Sequence, residues 1–324
     1  MKKVIFISSR PLGRCENITA VYNALNDNYV DKVFDRMWDR TSDILHDPNA
    51  QYDLVVTDEL VKESNAPVVM IFHGAAMGKT YLLQRDNNPE TEVLKKASKL
   101  LKYAVTSTTN GIPTTAMQCG IAETKVIPLG MPRMDAYFYE KDKVNTVLSM
   151  YERSYLYAPT FRSIWDADIP DIDLDKIDSL LTDREIFAIK PHMINKGFRL
   201  KDGYKHIIQI SKDEPSKDYI LDCDVLVTDY SSILYDAHVA GKPVVLFEKD
   251  HESYLEDPGM CLPYPEGYAS RHCRDEETLV ELMRNAYSPM DADLACYEMT
   301  CNMCDGHATE RVIKLINDIL EGRR

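Results

Sequence analysis

Residues 224–247 read DVLVTDYSSILYDAHVAGKPVVLF. An apolar run ends at Thr228 and gives way to Asp229-Tyr230-Ser231-Ser232; a segment of helical character follows, then Gly241-Lys242-Pro243 and a second apolar run. A short continuous apolar run bounded by turn residues is the pattern of a strand buried on both faces. Gly241 suits the position just past a helix end, and Pro243 cannot continue a helix. The stretch therefore predicts strand, helix over 231–240, strand, which demands a parallel sheet with helices on its faces.

The same alternation extends in both directions. Strands are predicted at 3–8, 52–58, 67–74, 103–108 and 125–130, and in the second half at 154–161, 184–192, 224–229 and 243–248. Helices are predicted at 17–27, with Asn17 as N-cap, and at 276–287 and 310–322. The stretch TEVLKKASKLLKYA (91–104) reads as a lysine-bearing amphipathic helix with Val93, Leu94, Ala97, Leu100 and Leu101 on its apolar face. Such a helix either packs on a domain or lies on a membrane surface. A chain of 324 residues suits two domains of roughly 100–200 residues each. The turn-rich, then charged, segment 130–148 is the expected crossover between them.

Composition narrows the function. With 44% apolar residues the chain is globular, and a net charge of −14 argues against a nucleic-acid partner. An anionic ligand remains compatible, because one cleft can be positive on an acidic protein. No apolar run approaches the roughly 18 residues that span a bilayer. Ser8-Ser9-Arg10-Pro11 cuts the first apolar run short of the roughly 7–15 residues of a signal peptide core. A cytoplasmic protein with reduced thiols is expected. Cys296, Cys301, Cys304 and His307 lack the second half of a zinc pattern and read as chance clustering rather than a metal site.

In open parallel sheets, ligands bind beyond the carboxyl ends of the strands. The polar residues there are His73 and Gly74, Thr160 and Arg162, Lys190 and His192, and Asp229, Ser231 and Ser232. They are expected to converge on one cleft. Two hydroxyls beside the free N–H groups of a helix N-terminus make a phosphate site; Ser231 reads equally well as a plain N-cap. His73 reads either as a turn residue or as a base working near neutral pH. Arg162 reads as a surface charge or as a fork for a diphosphate. The acidic stretch 166–178 has no calcium-loop spacing and reads as a solvated loop. No glycine-rich nucleotide fingerprint is present, so ATP and NAD readings lack support.

The segment 224–254 resembles the hallmark of the CDP-glycerol glycerophosphotransferase family, the teichoic-acid primases and polymerases. FHGAAMGKTY, GMPRMDAYF, YAPTFR, IKPHM and DGHATERVIKLI resemble further family elements, in the family's order, as does SSRPLGRCENITAVYNAL near the start. The resemblance implies a GT-B fold, α/β, with two Rossmann-like domains facing across a cleft. The N-terminal acceptor domain would be 1–140 and the C-terminal CDP-donor domain 141–304, with 305–324 a helix returning to the first.

It further implies transfer of an alditol phosphate from CDP-glycerol or CDP-ribitol to a hydroxyl of a glycan or lipid-linked acceptor (teichoic acid or a capsule repeat), releasing CMP, with no cofactor and no metal. His73 would be the base. His192 and Arg162 would hold the diphosphate or the leaving CMP. Thr160, Asp229, Ser231 and Ser232 would form the phosphate side, and Gly74, Arg133 and Lys190 would support. The family works at the inner face of the membrane, so a peripheral membrane contact is implied as well. Two departures stand out: Ala75-Ala76-Met77 where the family has Thr-Pro-Leu, which bears on acceptor choice, and His307 where it has Lys. The competing readings are a GT-B enzyme using a UDP-sugar and a non-catalytic nucleotide-binding member of a glycan-assembly complex.

Overall fold

A computed structural model describes residues 1–13, 16–26, 29–72, 91–141, 144–160, 172–192, 198–256, 260 and 262–324; of residues 91–94, 253 and 255 it describes the backbone alone. The chain forms two compact units, one of residues 1–138 with 299–324, the other of 139–298.

Unit 1 is built on strands β1 (Lys2–Ser8), β2 (Val30–Arg36), β3 (Leu54–Thr57), β4 (Val68–Ile71), β5 (Leu101–Thr106) and β6 (Val126–Pro128). They form a six-stranded sheet in the order β2-β1-β3-β4-β5-β6, and the pairs are parallel. Its helices are α1 (Glu16–Ala24), α2 (Asp43–His46), α3 (Thr91–Ser98), α4 (Ile112–Cys119) and α5 (Ala136–Tyr139). Val4, Phe6, Val56, Val69 and Ile71 pack on one face, and Ile5, Ile7, Val55, Val68 and Met70 on the other. Burial on both faces explains why these strands read as unbroken apolar runs rather than alternating ones.

Unit 2 carries α6 (Leu174–Leu180), α7 (Ser216–Asp222), α8 (Ile233–Val239), α9 (His251–Glu256) and α10 (Glu276–Arg284). Its sheet comprises β7 (Arg153–Tyr157), β8 (Glu185–Ile189), β9 (Ile207–Gln209), β10 (Val225–Thr228), β11 (Val244–Phe247) and β12 (Arg271–Cys273), in the order β12-β11-β10-β7-β8-β9 and parallel. Numbered from β7, this is the 3-2-1-4-5-6 order of dinucleotide-binding folds. α11 (Asp291–Thr300) carries the chain back towards unit 1, where α12 (Ala308–Leu320) buries Val312, Leu315, Ile316 and Ile319 in the core beside Phe6 and Ile18. Gly130 makes that return possible. It has φ +86, and a Cβ there would collide with the Met303 carbonyl oxygen and lie 2.9 Å from the Ala308 Cβ.

Several expectations change. The amphipathic stretch 91–104 is not one helix: α3 ends at Ser98, and Leu101 opens β5. Ala97 and Leu101 are both buried in unit 1, so this segment packs on its own sheet. Asn17 is not an N-cap. It lies within α1, which starts at Glu16, and its side chain is buried. The acidic stretch is not wholly loop: Asp173 caps α6, accepting from the Lys176 N–H at 3.0 Å. Strands β2, β9 and β12 escaped the sequence reading. All three are sheet edges, and β2 (VDKVFDR) carries charges that break the apolar run.

Candidate active site

The end of β10 is fixed from several sides. The Thr228 hydroxyl donates to the Ala158 carbonyl at 2.7 Å. Asp229 is fully buried, and its Oδ1 accepts from the Thr160 N–H at 2.8 Å. These bonds join the ends of β7 and β10, the two strands between which the chain reverses direction across the sheet. That is the switch point where open α/β sheets bind ligands.

Tyr230 locks the next residue. Its ring stacks on Tyr254 with centroids 3.7 Å apart and its hydroxyl donates to Asp250 Oδ1 at 3.1 Å. Ser231 and Ser232 follow, and α8 begins at Ile233. Ser232 is the N-cap residue but makes no side-chain capping bond, and the Ser231 hydroxyl meets the Ile233 N–H only at 3.5 Å. The plain capping reading is therefore weak. The far end of α8 closes as its sequence predicts: Gly241 has φ +68, and the Lys242 N–H reaches the Ala237 carbonyl at 2.9 Å. His238 anchors the helix inside the unit through Nε2 to the Tyr268 carbonyl at 2.8 Å, and burial lowers its pKa, keeping the ring neutral.

Lys190 follows β8 and is 6% exposed. Its ammonium donates to the Ser211 carbonyl at 3.1 Å, so it bridges the ends of β8 and β9. His192 is half-buried two residues on. Thr160, Asp229, Ser231, Ser232, Lys190 and His192 thus all lie at the carboxyl end of the unit 2 sheet. His73, Gly74 and Arg162 lie outside the described residues.

Arg133 belongs to unit 1, in a short 3-10 turn (Pro132–Asp135). Its guanidinium faces Glu16 at 3.8 Å, and its backbone N–H donates to Asn17 Oδ1 at 3.0 Å. The Asn17 amide in turn donates to the Phe72 carbonyl at 3.0 Å. One buried amide therefore ties the residue before His73 to Arg133. Sequence reasoning missed this role. The available signal was a polar residue on the face of α1 that carries Ile18 and Val21 into the core.

Among the described residues no three His, Cys, Asp or Glu side chains are grouped as metal ligands. Cys296, Cys301 and Cys304 are buried; His307 is exposed and faces Glu310 at 3.4 Å. Among the described residues no helix is long and apolar enough to cross a membrane.

A family model described as CDP-glycerol:poly(glycerophosphate) glycerophosphotransferase matches residues 39–318. The chain belongs to this family. It is 24% identical to the teichoic acid ribitol-phosphate primase of Bacillus spizizenii over 80% of this chain and 71% of that one. It is 23% identical to the teichoic acid glycerol-phosphate primase of Bacillus subtilis (62% and 53%) and 24% identical to the ribitol-phosphate polymerase TarK of Staphylococcus aureus (76% and 51%). The chain thus spans about half the length of the latter two. The fold is similar to the wall teichoic acid polymerase TagF, with TM-score 0.76, 16% identity, and coverage of 99% of this chain and 89% of that one. It is also similar to the S. aureus MnaA–UDP structure, with TM-score 0.61, 14% identity and coverage of 99% and 97%. The α/β, GT-B class expected from the sequence stands.

Proposed function

We propose that this glycerophosphotransferase-family chain moves glycerol phosphate or ribitol phosphate from its CDP-activated form to a hydroxyl of a teichoic-acid or related glycan acceptor. The acceptor oxygen attacks the phosphorus bearing the alditol, the bond from that phosphorus to CMP breaks, and the acceptor proton passes to His73. Phosphoryl transfer depends mainly on positioning and on stabilising charge. The carrying observation is the end of β10, where Asp229 holds Thr160 and two serines stand before α8 without a normal capping bond. In this reading those serines and the nearby backbone N–H groups face the donor phosphates, and His192 and Arg162 take the charge on the departing CMP. Unit 2 binds the donor, and unit 1, with Arg133 and the segment from His73 to Gly74, serves the acceptor. Lys190 braces the strand end that carries His192. No cofactor or metal enters the reaction as written. The protein works on the cytoplasmic side, with any membrane contact made through the acceptor.

The test is a thermal-shift panel of CDP-glycerol, CDP-ribitol, CMP, UDP-glucose and UDP-N-acetylglucosamine. A ligand at 100 times its Kd adds about 2.7 kcal/mol of stability. Stabilisation by a CDP-alditol and CMP, followed by CMP release when acceptor is added, is the expected result. Stabilisation by UDP-sugars alone would move the chain to a UDP-sugar reaction, and donor binding without CMP release to a non-catalytic role.

A further inference from the structure

Unit 1 has a switch point of its own. The chain leaves β1 for β2 on one side and returns to β3 on the other, so the crevice lies between the carboxyl ends of β1 and β3. The residues there parallel those of unit 2. β3 ends in Val56-Thr57 with Asp58 next, and β10 in Val227-Thr228 with Asp229 next. Across each crevice the aspartate accepts a hydrogen bond from the end of the first strand: Asp58 Oδ2 from the Ser8 hydroxyl at 2.9 Å, Asp229 Oδ1 from the Thr160 N–H at 2.8 Å. Each threonine donates its hydroxyl to a main-chain carbonyl, Thr57 to Glu59 at 2.9 Å and Thr228 to Ala158 at 2.7 Å.

Asp58 has one oxygen left over. It is 3% exposed, and Oδ1 has no hydrogen-bond partner among the described residues. A buried carboxylate oxygen without a donor is costly and calls for a specific explanation. Around it, the Arg10 N–H donates to Ser8 Oγ at 3.1 Å, and the Ser9 hydroxyl donates to Glu59 Oε1 at 2.8 Å, one residue further along both strands. Arg10 and Glu59 are the charges that act on Asp58, with opposite effects. What Oδ1 lacks is a hydrogen-bond donor. Two carboxylates side by side repel the phosphates of a nucleotide donor. A hydroxyl satisfies both requirements.

We propose that Asp58, oriented by Ser8, is an acceptor subsite, its Oδ1 accepting a hydrogen bond from a hydroxyl of the polyhydroxylated acceptor. This rests on the transfer reaction proposed above and adds to it the residue that recognises the acceptor.

The experiment compares wild type, Asp58→Asn and Ser8→Ala with ribitol and octyl N-acetyl-β-glucosaminide as acceptor probes. Probe binding is followed by ligand-observed NMR, acceptor-dependent CMP release gives KM and kcat, and CDP-glycerol affinity is the control. Asn at this position keeps the size but turns an amide towards the crevice or surrenders the charge. Acceptor Kd and KM are expected to rise about ten- to a hundred-fold, the range for a hydrogen bond to a charged group, with CDP-glycerol affinity unchanged. Ser8→Ala is expected to give a smaller rise in the same constants. Unchanged acceptor constants in Asp58→Asn would overturn the proposal. So would lost CDP-glycerol affinity in that variant, or a wild type that binds CDP-glycerol and neither probe. The NMR arm needs no turnover, so absence of transfer in wild type would count separately, against the reaction itself.

Discussion

The Thr160 N–H donates to Asp229 Oδ1 at 2.8 Å inside the core of unit 2, joining the ends of β7 and β10. Asp229→Ala would leave that N–H buried without a partner, at a cost of about 1–3 kcal/mol. Asp229→Asn can still offer a carbonyl oxygen. Urea denaturation should therefore show Ala well below Asn in stability, and CDP-glycerol affinity should fall in the same order. Equal values for the two variants would mean that Asp229 does not hold Thr160 in place.

Removing a serine cap ordinarily costs about 0.5–2 kcal/mol. Ser232 makes no capping bond, and Ser231 only a long one. Ser231→Ala combined with Ser232→Ala should shift stability by less than about 0.5 kcal/mol while weakening CDP-glycerol binding. Calorimetric binding beside a melting curve checks both; a large stability loss with unchanged affinity would return the serines to capping.

Asn17 joins the Phe72 carbonyl to the Arg133 N–H. Asn17→Ala removes both bonds, at about 1 kcal/mol each. Asn17→Asp keeps the bond from Arg133 but sets an oxygen against the Phe72 carbonyl. Both should reduce turnover with donor affinity retained, the pattern also expected of His73→Ala, where loss of a general base lowers turnover at least about 100-fold. Single-turnover CMP release separates the two steps; full turnover in Asn17→Ala would detach this clamp from function.

Burial pushes the Asp58 carboxyl up to about 6, against which the Ser8 hydrogen bond works in part. A carboxyl raised in the folded state stabilises the protein below its unfolded value near 3.8, and that contribution is lost as pH rises through about 6. Asp58→Asn should therefore be more stable than wild type at pH 8, by about 2–3 kcal/mol, with the difference shrinking below pH 5. Melting curves across that range test it. A pH-independent difference would mean that Asp58 titrates normally.

Glu185 behaves oppositely. Burial alone would raise its pKa, but hydrogen bonds from Arg284, Tyr155 and Thr182 together hold it down at about 2. Its contribution is present above the ordinary value of 4.5 and is lost as pH falls towards 2. Discounting for the half-exposed Arg284, about 2 kcal/mol rides on this cluster. Glu185→Gln should flatten the acid limb of the stability curve by that amount.

Much of this architecture was legible in the order of residues. Strands buried on both faces announce themselves as apolar runs, as in VLVT before Asp229 and VVLF before Glu248. Gly241 and Pro243 punctuate α8 from composition alone. Three of the four edge strands did not announce themselves: β2, for one, exposes Asp31 and Arg36 and carries charge along its length, whereas the edge strand β6 was legible as an apolar run. The boundary between α3 and β5 was hidden because Leu100 and Leu101 fit a helical stripe as well as a strand. At the site, the ends of β7, β8 and β10 could be read from pattern, since parallel strands deliver their carboxyl ends to one side. Asn17 and Asp58 could not. Each acts through a partner about 50 or more positions away, Phe72 or Ser8, and that pairing exists only once the sheet has formed.

The return of the chain through Gly130 and α12 also sets an order of assembly. Residues 139–298 form a continuous piece whose contacts are complete once it has been synthesised, whereas unit 1 needs Val312, Leu315, Ile316 and Ile319 to finish its core. On the ribosome the interrupted unit is therefore started first and completed last, waiting with an apolar groove open while the inserted one folds. Loss of α12 should thus damage the unit that contains β1, far from it in sequence.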